Sequence, residues 1–541
     1  MRWRSPAVAV LLLLSLAAFA QVELPRVTEV LEVRVTNIEV VVTDERGVRV
    51  HGLTKDDFEL YDAGTRQEIT NFSEIAAAPV RPRDEATATT TTAPQPVASD
   101  LPPRHIVVFF DNVSTATHER KRVAEALTAL FRDLRPIDDA MIVTWNRSIK
   151  IVVPPTNDRA ALEAGLTKAS RELSLRGPGP TMFTPLGREI GPMRGRAAAE
   201  QTAFARRRIR EAVADQVGSV EGLNAILSRL AGLDGRKALI LVSKGFSFKP
   251  GLEHAPPGEE EMLMHLEDVR GPDILKSLTV TANAAGIPIY SMHAGGLQSG
   301  ISVLDDSPDN TMLRIRADSQ SVNGMSWLSA RTGGLSVANM AGFTKAVARI
   351  SEDLSSYYSI GYRSSVVRND QEREIKVVAR NRKYTVRSRR AAVARSFETE
   401  LTNRVIAALL FEPRETNQLG ISAKVVSTDR KKKNQLSMPV DVMIPMSGLT
   451  FSSDDKGLAA DVSIFIASAD KSGAITAVEQ FRQRIPVKRE QLPTLGKMHY
   501  TYGLLVDLKT KSAENRLAIA VMDNIARTTG LTTVEVAAPA K

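Results

Sequence analysis

An aspartate and two hydroxyl side chains follow a run of apolar residues near residue 110. Ile106–Phe110 predicts a strand buried on both faces, and Asp111, Ser114 and Thr115 come directly after it. A helical pattern then runs from residue 118 to residue 134. Polar residues at the carboxyl end of a parallel strand lie where open α/β sheets bind their ligands. Carboxylate and hydroxyl oxygens at this point could bind a hard cation or a polar group of a partner.

The region around this loop, residues 104–355, alternates strand and helix patterns. Such alternation predicts a mostly parallel, Rossmann-like sheet with helices on both faces. The predicted strands are 140–145, 149–153, 237–243, 287–291 and 335–337, and the predicted helices are 158–173, 204–230, 273–285, 325–331 and 343–354. A Gly/Pro/Arg-rich insertion at 175–203 and loops at 249–272 and 296–320 are expected above the sheet.

β-rich segments flank the α/β region on both sides. We expect an N-terminal β module at 27–75, an Ala/Thr/Pro linker at 76–103, closing strands at 356–392, a linker at 393–415 and a C-terminal β-sandwich at 416–541. The strands before and after the α/β region are predicted to pair into one sandwich that the α/β domain interrupts. A chain of 541 residues is long enough for several such domains.

The first twenty residues are typical of a secretory signal peptide. Arg2 and Arg4 precede an apolar stretch, and Ala18-Phe19-Ala20 predicts a cleavage site. We therefore expect a periplasmic or secreted protein with no integral membrane span after cleavage. The absence of cysteine excludes disulfides, thiolate metal sites and a cysteine nucleophile. The net charge of +9, two of which lie in the leader, does not by itself indicate nucleic acid binding.

Three motifs together resemble the exported von Willebrand factor A (vWA)-related proteins that are abundant in Acidobacteria. They are the N-terminal segment 53–72, the strand and loop from Arg104, and the closing strands 357–362, 374–377 and 384–387. The resemblance covers residues 27–392. It implies a vWA domain flanked by β modules and a location in the cell envelope, and it implies no settled biochemical activity.

A vWA metal-ion-dependent adhesion site uses Asp-x-Ser-x-Ser on one loop, a threonine on a second and an aspartate on a third. Asp111 and Thr115 fit the first loop, but Val113 stands where a serine is expected. Thr184, or alternatively Thr181, fits the second loop. Lys244 occupies the position of the third-loop aspartate, and its charge opposes a cation. The resemblance therefore implies a degenerate site without a metal cofactor, and we predict that Lys244 replaces the metal and pairs with Asp111.

These residues predict a non-enzymatic, adhesion-type protein that binds a protein partner in the cell envelope or outside the cell. The expected binding residues are Asp111, Ser114, Thr115, Thr184 and Lys244. One alternative is a metal-dependent adhesin in which Asp111, Thr115 and Thr184 hold Mg²⁺ or Ca²⁺. Another is an accessory subunit of an envelope hydrolase, for which the histidines to test are His254, His265 and His293.

The most basic segment of the chain is 380–395. Seven arginines and lysines between Arg380 and Arg395, with no acidic residue, predict either a solvated strand face or a surface for an anionic polymer. Nucleic acid is not an expected partner, because no nucleic-acid-binding motif is found in the sequence.

Overall fold

The first described elements are four strands and a short 3-10 helix. The computed structural model describes residues 34–76, 101–173, 196–256, 258–295, 308–338, 342–364, 370–411, 417–432, 435–454, 457–470, 475–509, 512 and 514–537. The predicted signal peptide and most of the predicted 76–103 linker lie outside these ranges. The first strands are β1 (Arg34–Thr43), β2 (Phe58–Asp62), β3 (Thr65–Gln67) and β4 (Ile69–Ala76), with a short 3-10 helix at Lys55–Asp57.

An α/β domain follows, and its elements alternate as the sequence predicts. Its strands are β5 (Arg104–Asp111), β6 (Asp139–Trp145), β7 (Ile149–Thr156), β8 (Arg236–Ser243), β9 (Ile289–His293) and β10 (Ser336–Val337). Its helices are α1 (Thr117–Leu127), α2 (Arg159–Arg171), α3 (Arg196–Ala231), α4 (Glu260–Leu266), α5 (Gly271–Ala285), α6 (Pro308–Thr332) and α7 (Phe343–Ser355), with 3-10 helices at Thr128–Asp133 and Leu252–His254.

The six strands of this domain form one sheet in the order β10-β9-β8-β5-β6-β7. Only the β6–β7 pair is antiparallel, so the predicted mostly parallel sheet is confirmed. Alternate residues of β5 face opposite sides: Val108 and Phe110 belong to one apolar core, and Val107 and Phe109 to another. A strand with apolar cores on both faces is expected to be an unbroken hydrophobic run, as β5 is.

Two predicted loops are partly helical. Helix α3 begins at Arg196, inside the segment expected to be an irregular insertion, and α6 begins at Pro308, inside the loop expected at 296–320. For α3 the reason is composition, because its first residues are rich in alanine, glutamine and arginine, which favour a helix without any tertiary contact. The glycines and prolines at 177–180, which favour a loop, stand at the other end of that segment and lie outside the described residues.

After the α/β domain, the chain returns to the N-terminal strands. β11 (Ser356–Ser364), β12 (Glu372–Ala379), β13 (Thr385–Ser388) and β14 (Ala391–Val393) join β1–β4 in two antiparallel sheets, β13-β1-β11-β4 and β14-β12-β2-β3. These strands share one apolar core that contains Ile38, Leu60, Tyr358 and Val377. Strands from before and after the α/β domain therefore pair with one another, as predicted.

A buried charged cluster joins these strands to the α/β domain. The Asp353 carboxylate at the end of α7 contacts Arg49 Nη2 and Arg387 Nη2, each at 2.6 Å. Arg236 at the start of β8 contacts Glu39 of β1 at 2.9 Å, and its guanidinium stacks 3.8 Å from the centre of the Tyr357 ring. Because the Arg49 and Asp353 side chains are almost fully buried, this cluster fixes the β strands against the α/β domain.

The C-terminal region begins with helix α8 (Phe397–Ala408) and continues as two antiparallel sheets. Its strands are β15 (Ser422–Val425), β16 (Asp429–Lys432), β17 (Gln435–Pro445), β18 (Ser452–Asp454), β19 (Gly457–Asp470), β20 (Glu479–Pro486), β21 (His499–Lys509), β22 (Glu514–Asp523) and β23 (Thr529–Ala537), with 3-10 helices at Met446–Gly448 and Arg489–Lys497. Inward-facing residues of β17, β19 and β22 share one apolar core. In the part of the chain that the structure describes, no helix is long and apolar enough to cross a membrane.

Candidate functional site

The candidate site lies where the strand order of the α/β sheet reverses. Counted along the chain, the six strands are arranged 3-2-1-4-5-6, and the reversal falls between β5 and β8, which are adjacent and parallel. A doubly wound sheet binds its ligands outside the carboxyl ends of the strands at this point. The loop after β5 carries Asp111, Ser114 and Thr115, and the loop after β8 carries Lys244, so the topology brings both candidate loops together.

Asp111 is buried and accepts hydrogen bonds from two serines. Its Oδ2 accepts from Ser114 Oγ at 2.8 Å and from Ser243 Oγ at 2.9 Å, and the two hydroxyl oxygens lie 3.0 Å apart. Burial raises the pKa of Asp111, and the hydrogen bonds from both serines oppose that shift. Backbone N–H groups of Lys244 and Gly245 donate to the Ser114 and Ser243 hydroxyls at 3.1 and 3.2 Å. The carboxylate and both hydroxyls are thus occupied by bonds within the protein.

Arg120 fixes the position of the loop that carries Ser114 and Thr115. This guanidinium is fully buried and donates to the carbonyl oxygens of Thr115 and Glu172, each at 2.5 Å, and of Ser170 at 3.3 Å. Thr115 Oγ1 in turn donates to the Asp111 carbonyl oxygen at 2.6 Å. Thr115 therefore closes the loop onto its own backbone, and Arg120 ties that loop to the end of α2.

The predicted pair between Lys244 and Asp111 is wrong. The Lys244 ammonium lies 3.7 Å from Glu119 Oε1, and the carboxylate of Asp111 is taken by the two serines instead. The other oxygen of Glu119 accepts a hydrogen bond from the Ala116 backbone N–H at 2.7 Å, at the start of α1. That bond turns the Glu119 carboxylate toward the loop after β8. The Lys244 side chain remains 31% exposed, so its charge is accessible at the rim of the site.

These residues do not fit a divalent cation. A hard cation requires several oxygen ligands, and here the one central carboxylate, Asp111, already accepts hydrogen bonds from two serine hydroxyls. Val113 has no ligating atom, and Lys244 brings a positive charge to the third loop. Among the described residues, no group of three or more His, Cys, Asp or Glu is arranged to hold a metal ion. Thr184 and its alternative Thr181 lie outside the described residues.

Ser243, His293 and Gly295 also lie close to the site, and the sequence alone does not assign them to it. Ser243 ends β8 and pairs in register with His293 of β9, which is buried. Both His293 Cε1 and Lys244 Cε approach within about 3.3 Å of the position that a side chain on Gly295 would take. The sequence feature that could have identified Ser243 as a site residue is its position at the end of β8. A hydroxyl that ends a buried parallel strand next to β5 must lie at the same edge of the sheet as Asp111.

A polar group adjoins the site on its β6–β7 side. The Glu172 carboxylate accepts from Lys150 Nζ at 2.6 Å and from Asn112 Nδ2 at 3.2 Å. Burial raises the pKa of Glu172, but the hydrogen bond and charge of Lys150 outweigh it, so the pKa is lowered. Glu172 therefore carries a negative charge that Lys150 offsets. The carboxylate beside Lys244 is that of Glu119 and not that of Glu172.

The histidines considered for a hydrolase lie on three separate elements, and His293, which ends β9, is buried. Ser291, two residues before His293 on β9, lies 2.5 Å from the Ser329 hydroxyl and donates to the Met325 carbonyl oxygen, so it packs β9 against α6. His254 lies on a 3-10 helix 3.5 Å from Glu253, and His265 lies on α4.

Three of the seven basic residues in the 380–395 segment make contacts within the protein. Arg389 donates to the carbonyl oxygens of Asn283 and Asn37 at 2.9 and 2.8 Å, Arg387 binds Asp353, and Arg395 contacts the Ala231 carbonyl oxygen. Cations at the end of a helix, as at Asn283 in α5 and Ala231 in α3, are favoured by the helix dipole. Four other basic residues remain exposed, namely Arg380, Arg382, Lys383 and Arg390.

No family model matches the chain, and no curated protein matches it. The solved structures to which it is similar include vWA-domain proteins. An aerotolerance-related membrane protein from Bacteroides fragilis is 10% identical, over 46% of this chain and 98% of that one, with a TM-score of 0.23. A von Willebrand factor type A protein from Catenulispora acidiphila is 9% identical, over 81% and 66%, with a TM-score of 0.22.

The proximal thread matrix protein 1 from the mussel byssus is 11% identical, over 47% of this chain and 48% of that protein, with a TM-score of 0.22. Because all three TM-scores are this low, the likenesses carry no argument about function. The fold and the site rest on the strand order and on the contacts of Asp111, Ser243 and Lys244.

Proposed function

We propose that this protein is an exported, non-enzymatic binding protein that recognises an acidic group of a protein partner at the carboxyl end of its α/β sheet, without a metal. The observation that carries the proposal is the partly exposed Lys244 ammonium at the position where a vWA site would place a metal ligand. A metal in such a site attracts a partner's carboxylate, and a lysine supplies the same sign of charge from the chain itself.

The Lys244 charge is accessible to a partner because its internal pair is weak. Its distance of 3.7 Å to Glu119 is longer than a charge-assisted hydrogen bond, and about a third of the lysine side chain faces solvent. A partner carboxylate can therefore approach the ammonium without first breaking a strong bond. Asp111, Ser114 and Ser243 support this arrangement from beneath, since the Ser114 hydroxyl accepts the Lys244 backbone N–H.

Two cavities lined by described residues lie away from Lys244. Cavities of about 560 and 580 Å³ are lined by residues at the amino ends of the strands, such as His105, Asp139 and Lys237. They lie at the opposite edge of the sheet from Lys244, whose side chain is partly exposed. Small-molecule sites are concave and mostly apolar, so a rim with an accessible charge is better suited to a protein surface.

The remaining parts of the proposal rest on the sequence. The leader and the three vWA-related motifs support export and the Acidobacterial type, and the C-terminal sheets are proposed to form a β-sandwich that acts as a spacer or second adhesive module. An anionic polymer is proposed as a secondary ligand for the exposed part of the basic segment, at Arg380, Arg382, Lys383 and Arg390.

Site-specific photo-crosslinking in the intact cell envelope tests the proposal. A benzoylphenylalanine probe replaces His118, which is exposed beside the site, and a control probe replaces Ala160, which is exposed at the opposite edge of the sheet. We expect a crosslinked partner from position 118 only, retained in EDTA and lost on Lys244→Met. Crosslinking that EDTA abolishes, or that Lys244→Met leaves unchanged, would contradict a metal-free lysine anchor.

A further inference from the structure

Strand β21 forms a long edge of a sheet in the C-terminal region. Among the described residues it pairs with β17 alone, and all eleven of its residues, His499 to Lys509, take part in that pairing. Strands are usually about five or six residues long. On its other side, β21 has no strand partner among the described residues, and an unpaired edge of this length is a ready template for another strand.

Several other edges of the described sheets carry features that discourage pairing, although β4 and β23 are edges of eight and nine residues without proline. The edge strand β20 contains Glu479, Arg482, Arg484 and Pro486, and the edge strand β7 contains Lys150, Pro154 and Pro155. The strands β3, β13 and β14 are edges of only three or four residues. Between Tyr500 and Val506, β21 has no charge and no proline, so it lacks the protection found at these other edges.

The side chains of β21 are also incompletely covered. Leu504 and Leu508 face the core, whereas Tyr500, Tyr502 and Val506 on the same side are only half-buried. On the outer side, Leu505 is 67% exposed and lies two residues from Gly503, which has no side chain. An apolar edge with this pattern can be completed only by a strand that supplies apolar residues on both faces.

We propose that the β21 edge pairs antiparallel with β21 of a second copy of this chain. When Leu504 lies opposite Leu504 of the other copy, all eleven residues of each strand are matched. The pairing is isologous, and the inward-facing residues of both copies fall on the same side of the joined sheet. The two sheets of a dimer then form one continuous sheet.

The sequence of β21 favours a second β21 as the strand that pairs with this edge. In this register Tyr502 lies opposite Val506, Tyr500 opposite Leu508, and Thr501 opposite Asp507, which are pairs of compatible chemistry. The outermost pair is His499 opposite Lys509. Leu505 lies over Gly503 of the other copy, where the missing side chain leaves room for it. The exposed leucine and the exposed glycine are thereby covered by a single symmetric contact.

Two variants of the full chain test this pairing by analytical ultracentrifugation. Leu505→Lys places two like charges beside the two-fold axis, and we expect it to raise the dimer dissociation constant about tenfold or more. Leu492→Lys is the matched control, because Leu492 is also exposed but lies on a 3-10 helix outside the edge. We expect that control to dimerise like the natural chain.

Cysteine crosslinking tests the register, and the natural chain has no cysteine to interfere. Under mild oxidation, Thr501→Cys/Asp507→Cys should form a covalent dimer on a denaturing gel, because position 501 faces position 507 of the other copy. Each single variant should remain monomeric on that gel. A natural chain that stays monomeric over a dilution series, or a dimer that survives Leu505→Lys and forms no crosslink, would overturn the proposal.

Discussion

Replacing Arg120 should lower the free energy of unfolding of the α/β domain more than replacing an exposed residue of the same helix does. Its guanidinium is fully buried and donates to three backbone carbonyl oxygens on two separate segments. Arg120→Met leaves those carbonyls without a donor, and each buried acceptor left unsatisfied costs about 1–3 kcal/mol. Burial lowers the pKa of Arg120, so the charge itself is unfavourable there and its removal offsets part of the loss. We therefore expect a net loss of about 3 kcal/mol in the free energy of unfolding.

Urea unfolding followed by tryptophan fluorescence measures this effect. Trp145 and Trp327 both lie in the α/β domain, and Trp3 lies in the predicted leader. Arg120→Lys keeps the charge but cannot reach three carbonyl groups, so it should lose most of the same stability. Lys121→Met is the exposed control and should change stability by less than about 0.5 kcal/mol. If Arg120→Met is as stable as Lys121→Met, the carbonyl contacts do not hold the site loop.

The remaining predictions concern three other charged residues. Burial raises the pKa of Asp138, but hydrogen bonds from Arg135 and Arg104 outweigh it and hold the pKa at about 2. This group therefore contributes about 2 kcal/mol above pH 4, which is lost as the pH falls from about 4 to about 2. In urea unfolding at a series of pH values, Asp138→Asn should reduce the loss of stability between pH 4 and pH 2. An unchanged loss over that range would contradict this role of Asp138. Asp353→Asn leaves two arginines of the buried cluster without their carboxylate and should cost about 3–5 kcal/mol. Backbone amides of β1 and β11 should exchange hydrogen faster in this variant. Unaltered protection there would mean that the buried charged cluster does not fix these strands against the α/β domain. Lys244→Met removes a partly exposed charge and should change stability by less than about 1 kcal/mol, while it abolishes the crosslink from position 118. A large loss of stability in that variant would mean that Lys244 has a structural role.

The sheet could be predicted because its strands are buried on both faces. Ile106–Phe110 and 239–242 are apolar without interruption, and such runs have few alternatives to a central parallel strand. The pairing of the N-terminal and closing strands was also predictable, since neither group has enough strands to bury its own apolar face. The start of α3 at Arg196 was not predicted, because glycines and prolines earlier in the segment hid a helix-forming composition.

The neighbouring strand ends that carry Asp111 and Lys244 could be predicted, but the contacts of these two residues could not. The sequence places Asp111 and Lys244 at neighbouring strand ends, but charge alone suggested that they pair with each other. Two features that depend on tertiary geometry decided otherwise. Ser243 ends β8 close enough to donate to Asp111, and the bond from the Ala116 backbone turns Glu119 toward Lys244. Arg120 was hidden in the charged segment 118–122, where a buried arginine resembles its exposed neighbours.

Calorimetric titration of Mg²⁺, Ca²⁺ and Mn²⁺ tests the central claim most directly, that Lys244 replaces a metal at this site. The full chain is titrated beside Lys244→Asp and Val113→Ser/Lys244→Asp. The account predicts no binding heat from the natural chain and saturable binding by the double variant, because oxygen ligands then replace a valine and a positive charge. Saturable binding of any of these ions by the natural chain, lost on Asp111→Asn, would contradict the account and make this a metal-dependent adhesion site.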